Sequence, residues 1–240
     1  MSTTEMVESF IREHKLDCSN IFDWRPYPGD IIKDLLQENQ AFWMHDGDVN
    51  KPHVQFGDKC SDRYVNFSNV FNKPLLSEFL AFLLLNKFYY ALGSIPEVDW
   101  VIGSPYAAIT LAHDVARLIG AKSGFPEESS ISETGMVWKR WQIEGNEKVL
   151  QVEDLVATGS TLSAVRKTLE RDNSDHFKWF PYVGAIVHRP KEINIRGYDS
   201  CGLVSLLEMK AANWHPDECP LCLRGSPRIK PKDNWFELLR

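Results

Sequence analysis

A chain of 240 residues that is 43% hydrophobic, 25% charged and 12% aromatic can bury a sizeable core, which excludes a disordered or fibrous protein. Its formal net charge of -6 speaks against a general nucleic-acid binder, which normally presents a basic surface. Five cysteines, an odd number, accompany a start (Met1 to Lys15) without the basic and apolar regions of an export signal; a reduced, cytoplasmic setting is expected.

Residues 1 to 50 open with a weakly amphipathic helix, break at Trp24 to Gly29 around Pro26 and Pro28, and resume a helical pattern from Ile31 to Leu36. Nothing in them carries chemistry, and they are expected to pack. The stretch from His53 to Asn72 holds Phe56-Gly57-Asp58-Lys59 and Arg63-Tyr64-Val65-Asn66, followed by Lys73-Pro74. Its cations Lys59, Arg63 and Lys73 either meet a ligand or are solvated surface charges, the commoner fate of such residues. A long apolar helix is predicted from Leu75 to Leu92, as a core or subunit-interface element. The apolar concentration at Phe79 to Leu85 is interrupted by Asn86 and Lys87, short of the ~18 residues of a membrane span. No membrane association is expected.

The first βα unit follows. Val98 to Ile102 is a short buried strand, Gly103-Ser104-Pro105-Tyr106-Ala107-Ala108 a tight turn, and Ile109, Ala112, Ala116 and Ile119 mark one face of a helix ending at Gly120. Ser104 can simply cap that helix. From Pro126 to Thr134 the chain is rich in Glu and Ser, a composition that buries little and predicts a mobile segment. Met136-Val137-Trp138-Lys139-Arg140-Trp141 comes next, two cations between aromatic residues. It is either a cationic contribution to a site or an exposed strand edge blunted with charge.

Val149 to Thr161 is the most informative stretch. Val149 to Val152 has the composition of a strand buried on both faces, and it runs into Glu153 and Asp154. Ala157, Thr158, Gly159, Ser160 and Thr161 form a small polar loop before a helix whose apolar face carries Leu162, Val165 and Leu169. Free backbone N–H groups and the positive end of the helix dipole meet there, which makes a ready anion site. A carboxylate pair at the carboxyl end of an apolar strand is also where open α/β sheets place ligands. Tyr182 to Val187 and Gly202 to Leu207 read as further strands, so that a mostly parallel sheet flanked by helices is predicted. The tail carries Cys219-Pro220-Leu221-Cys222 near His215, which is either a zinc site, with Cys201 as a further ligand, or a tight turn with two buried thiols.

Strand, Glu-Asp and Thr-Gly-x-Thr together resemble the phosphoribosyl-pyrophosphate signature of type I phosphoribosyltransferases. Over roughly residues 53 to 210 the chain is most similar to the orotate enzymes, and its Lys-Arg-aromatic segment at Met136 to Trp141 and its Cys-Pro-Leu-Cys tail look like those of a divergent branch. The resemblance implies that Glu153 and Asp154 hold the ribose 2′ and 3′ hydroxyls and that Ala157 to Thr161 wrap the 5′-phosphate. Gly103 to Ala107 would bind the pyrophosphate through backbone amides, often with a strained peptide, although Pro105 removes one donor. Lys59, Arg63 and Lys73 would belong to a hood over the base, and residues 122 to 145 to a lid that excludes water from the cationic sugar.

Two departures qualify the resemblance. The usual lid run of lysines and histidine is missing, since no Lys, Arg or His occurs between Glu127 and Met136, which leaves cationic help to Lys139 and Arg140. The helix position from which an arginine meets the orotate carboxylate in some relatives is Ser163 here, with Arg166 nearly a turn further on. The expectation is therefore one phosphoribosyltransferase domain, with its core at about residues 75–210 and its hood from 1–74 plus the tail 211–240. It would act as a homodimer with Mg²⁺ and phosphoribosyl pyrophosphate on a nitrogenous base, orotate foremost. The alternatives are a purine or other pyrimidine base, and a non-catalytic sensor of phosphoribosyl pyrophosphate.

Overall fold

Strands β5 (Trp100–Gly103), β6 (Lys122–Gly124), β9 (Lys148–Val156), β10 (Lys178–His188) and β11 (Gly202–Glu208) form one sheet in the order β11-β10-β9-β5-β6, with every neighbouring pair parallel. This computed structural model describes residues 2–14, 16, 29–173, 176–189 and 201–239; the proline break at residues 24–28 and Cys18 lie outside them. Parallel strands need a crossover between them, which α5 (Ala107–Ile119) supplies after β5 and α6 (Ser160–Asp172) after β9.

The sheet is buried on both faces, as its near-continuous apolar strands require. Along β9 the side chains alternate. Leu150 and Val152 join the main core with α4 (Pro74–Leu92) and α5, whereas Val149 packs with Val165 and Leu169 of α6. Helix α4 is long and apolar enough to cross a membrane by length and composition alone, its 19 residues exceeding what the interruption at Asn86 and Lys87 suggested. It is a core helix. Phe79, Phe82 and Phe88 are almost completely buried against the sheet, each contributing roughly 1.5–3 kcal/mol.

The first two helices, α1 (Thr3–Glu13) and α2 (Gly29–Glu38), also pack in this main core, through Val7, Ile11, Ile32, Leu35 and Leu36. A second, smaller layer forms from both ends of the remaining chain. β2 (His53–Phe56) and β3 (Lys59–Ser61) make a hairpin whose edges are covered by tail strands β12 (Asn213–Trp214) and β13 (Arg228–Ile229), in the order β12-β3-β2-β13. The short helix α7 (Pro220–Leu223) lies between the tail strands, and α8 (Pro231–Leu238) follows, with Trp235 and Leu238 closing over Val54. β1 (Phe42–Met44) pairs with β4 (Arg63–Val65), and a single turn, α3 (Ser68–Phe71), leads into α4.

A two-stranded hairpin, β7 (Glu127–Glu128) with β8 (Met136–Val137), carries the segment expected to be mobile. It is docked on α6. Thr134 Oγ1 and Thr168 Oγ1 are 2.6 Å apart, and Arg171 reaches Ser132 Oγ at 2.8 Å and Met136 O at 3.0 Å. Serine and threonine, which bury little apolar area, here anchor the turn through hydrogen bonds instead. Trp138 is buried to 3% exposure among Trp100 and Trp141, so the aromatic residues of 136–141 are core, not a strand edge.

Candidate functional site

β9 continues through both carboxylates to Val156, and its alternation sends them to opposite faces. Glu153 faces α6 and is 2% exposed. It accepts hydrogen bonds from Ser104 Oγ and from Gln151 Nε2, the latter at 2.9 Å. Burial is the main reason its carboxyl is pushed up to about 8; the neighbouring Asp154 charge pushes the same way, while the bonds from Ser104 and Gln151 oppose it. Gln151 in turn accepts from Arg166 Nε at 3.1 Å, and the Arg166 guanidinium lies over the Trp179 ring at 4.6 Å. Arg166 is thus a buried strut of this network and does not point toward the ligand cavities.

Asp154, on the other face, is half-buried and borders a cleft of about 390 Å³. Ser104, Pro105, Tyr106 and Ala107 form one wall of this cleft, and Tyr64 to Ser68 the other. The Gly103–Ala107 turn and the acidic pair are therefore brought together, with Ser104 bonded to Glu153 and not acting as a helix cap. Gly103 is required by packing, because a Cβ there would stand 2.1 Å from the Ala108 carbonyl oxygen. The Pro105–Tyr106 peptide is cis, and Tyr106 is 68% exposed.

The second loop, Ala157 to Thr161, borders a hollow of about 80 Å³ together with Glu153. Gly159 takes φ 78°, the left-handed conformation that only glycine adopts freely, and no side chain caps α6 behind it. Ser160 N makes a long contact of 3.4 Å to Thr158 Oγ1, and Gly159, the residue at the cap position, offers no side chain to the N–H groups that follow. On the outer side of this loop, Thr158, Gly159 and Ser160 share a cavity of about 450 Å³ with Ser163, Lys167 and the hairpin residues Glu133 and Thr134. Lys167 was missed in the sequence. Its signal was its spacing of four from Ser163, which puts both on one helix face.

Other candidates stand elsewhere. Lys139 and Arg140 both pair with Glu127, Lys139 at 3.0 Å, and border none of the three cavities. Lys59 is exposed at the hairpin end of β3, Lys73 donates to Asn39 Oδ1 at 2.7 Å, and Arg63 donates to Lys210 O at 2.6 Å. The hood wall of the cleft is instead built from Tyr64 to Ser68, just after Arg63. In the tail, Cys219 and Cys222 gather with Cys60 and His53, while Cys201, expected as their companion, accepts from Arg166 at 3.2 Å.

No protein-family model matches the chain. Among curated proteins it is 32% identical over 194 residues to an orotate phosphoribosyltransferase of Thermoanaerobacter sp. (strain X514), covering 79% of this chain and 93% of that one. It is also 32% identical over 209 residues to an orotate phosphoribosyltransferase of Thermotoga maritima, covering 84% and 97%. Among solved structures, an orotate phosphoribosyltransferase from Aeropyrum pernix superposes with a TM-score of 0.56 at 16% identity, over 74% of this chain and 93% of that one. An adenine phosphoribosyltransferase from Saccharomyces cerevisiae does so at 0.53 and 15%, over 73% and 99%. These two likenesses establish the shared fold.

Proposed function

Because the chain belongs to the orotate phosphoribosyltransferase family, we propose that it transfers ribose 5-phosphate from phosphoribosyl pyrophosphate to orotate and releases pyrophosphate. The observation that carries this reading is the Ser104–Glu153 hydrogen bond, which ties both anion-binding loops to one carboxylate pair. The 5′-phosphate sits at 157–161, where backbone donors bind it without added charge. Asp154, open to the cleft, accepts from the ribose hydroxyls, while Glu153 fixes the distance between the loops. Pyrophosphate lies along Ser104 to Ala107, and the base lies under Tyr64 to Ser68.

Mg²⁺ fits the cleft, whose side-chain donors at Asp154, Asn66 and Ser68 are all oxygen-bearing and include no thiol or imidazole. When bound with the diphosphate it neutralises charge developing on the leaving group. The chain's own residues position the reactants and keep water from the oxocarbenium-like sugar. We place the reaction in the cytoplasm, a setting supported by four described cysteines that form no disulfide. The chain acts as a homodimer. In support, the described residues bordering the cleft and the inner hollow include no Lys or Arg, so a cation from a second copy would complete them.

Purified protein incubated with phosphoribosyl pyrophosphate, Mg²⁺ and separate bases should release pyrophosphate with orotate and not with adenine or uracil. Chelation should abolish the release and added Mg²⁺ restore it. Asp154→Asn should lower turnover by about 100-fold or more while the protein still melts cooperatively. Binding without release for every base would replace the enzyme by a sensor.

A further inference from the structure

We propose that the hood holds a structural zinc ion, bound by the thiolates of Cys60, Cys219 and Cys222 and by Nε2 of His53. Their donor atoms all lie within 4.8 Å of one another. Cys222 Sγ is 3.3 Å and Cys219 Sγ 3.8 Å from His53 Nε2, and Cys60 Sγ is 3.5 Å from Cys222 Sγ. Four donors around a tetrahedral Zn²⁺, with bonds of about 2.3 Å to sulfur and 2.0–2.1 Å to nitrogen, stand roughly 3.5–3.8 Å apart. Three of the six separations are close to the spacing of a closed Cys₃His site, and none exceeds 4.8 Å.

The imidazole is aimed by its other nitrogen. Ser226 Oγ donates its single proton to Lys51 O at 2.7 Å, a carbonyl that can only accept. The contact between that hydroxyl and His53 Nδ1, at 2.8 Å, must then be a donation from Nδ1–H. This fixes the tautomer with the lone pair on Nε2, facing the three sulfurs, which is the outer support that metal-binding histidines normally have. Packing encloses the group. His53, Cys60 and Cys219 are fully buried and Cys222 partly so, Leu221 and Trp214 lie against the thiols, and four protein donors fill a tetrahedral site. Soft thiolates with one imidazole select zinc over Mg²⁺ or Ca²⁺. Binding displaces three thiol protons and leaves a net charge of -1, and Arg228, aligned with His53 across β13 and β2, supplies an opposite charge.

The ligands come from β2, β3, the residue before α7 and α7 itself, so the ion would pin the tail to the hairpin that leads into the cleft wall. The test uses the full chain without a histidine tag, purified in the absence of chelator. Elemental analysis should find about one zinc per chain, and protein reconstituted with Co²⁺ should show the visible bands of a tetrahedral thiolate site. Cys222→Ser should lose the metal and Cys201→Ser retain it. Should Cys222→Ser fail to fold, Ser226→Ala should still weaken zinc, measured by chelator competition, by about 10–100-fold. A metal-free protein that takes up neither ion overturns the proposal. So does a Cys60–Cys222 disulfide in the isolated protein, or loss of zinc in Cys201→Ser.

Discussion

Glu153 titrates far from an exposed carboxylate, and its linkage to folding has a definite sign. Its ordinary value is 4.5 and its folded value about 8, so between these the native state holds a proton that the unfolded state has lost. Stability contributed by this group is complete below about pH 4.5 and is lost as pH rises through 8, at up to about 1.4 kcal/mol per pH unit. Glu153→Gln removes the titration, and the Ser104 hydroxyl can reverse to accept from the new amide. The variant should melt several degrees above the wild type at pH 8.5 and closer to it at pH 5, as scanning calorimetry would measure. Lys167 belongs to the same scale. It is exposed on the cavity beside Thr158 to Ser160, so, if the proposed phosphate site is right, Lys167→Ala should raise KM for phosphoribosyl pyrophosphate several-fold, about 1 kcal/mol, with stability unchanged, as initial-rate kinetics would read.

Among the elements, the β7–β8 hairpin walls the cavity beside Thr158, Gly159 and Ser160 through Glu133 and Thr134. Arg171 holds its turn through Ser132 and Met136 from the last turn of α6, and it is also paired with Asp172. Arg171→Ala should free residues 129–135, seen as faster limited proteolysis there, with a stability cost of about 1 kcal/mol or less because the side chain is partly exposed. The βα unit at 149–161 was legible because its signals are local: an apolar run, a carboxylate pair and small residues before a periodic helix. The partners of those signals were not. Ser104 lies 49 residues from Glu153, and Arg166 reaches Gln151 only because strand and helix pack face to face. Cys201 drew attention as a thiol free to join the tail, yet the fold commits it to Arg166. His53 and Cys60, the actual neighbours of the tail cysteines, carry no spacing that ties them to residues about 160 positions away.

For the molecule as a whole, the hood is a layer that neither end of the chain can build alone. The β2–β3 hairpin has both edges covered by the tail and its apolar side covered by Trp235 and Leu238. An isolated two-stranded hairpin is marginal in water. Truncation after Lys210 should therefore abolish hydrogen-exchange protection at 53–61, while amides of β9 between 150 and 153 stay protected; equal loss in both would mean that the two layers unfold as one.

The same closure sets a timetable for synthesis. Cys60 and Cys222 are 162 positions apart, which at ~5–20 residues per second corresponds to about 8 to 30 s on the ribosome. During that interval the parallel sheet can assemble, but the hairpin waits with two open edges and a reactive thiol. In the cleft wall, Val65 and Phe67 belong to the main core, but Tyr64 acquires its packing against Trp235 only when α8 arrives. Translation must therefore pass Leu238 before the hood is complete, and a product arrested earlier would carry the 157–161 loop beside an unfinished hood.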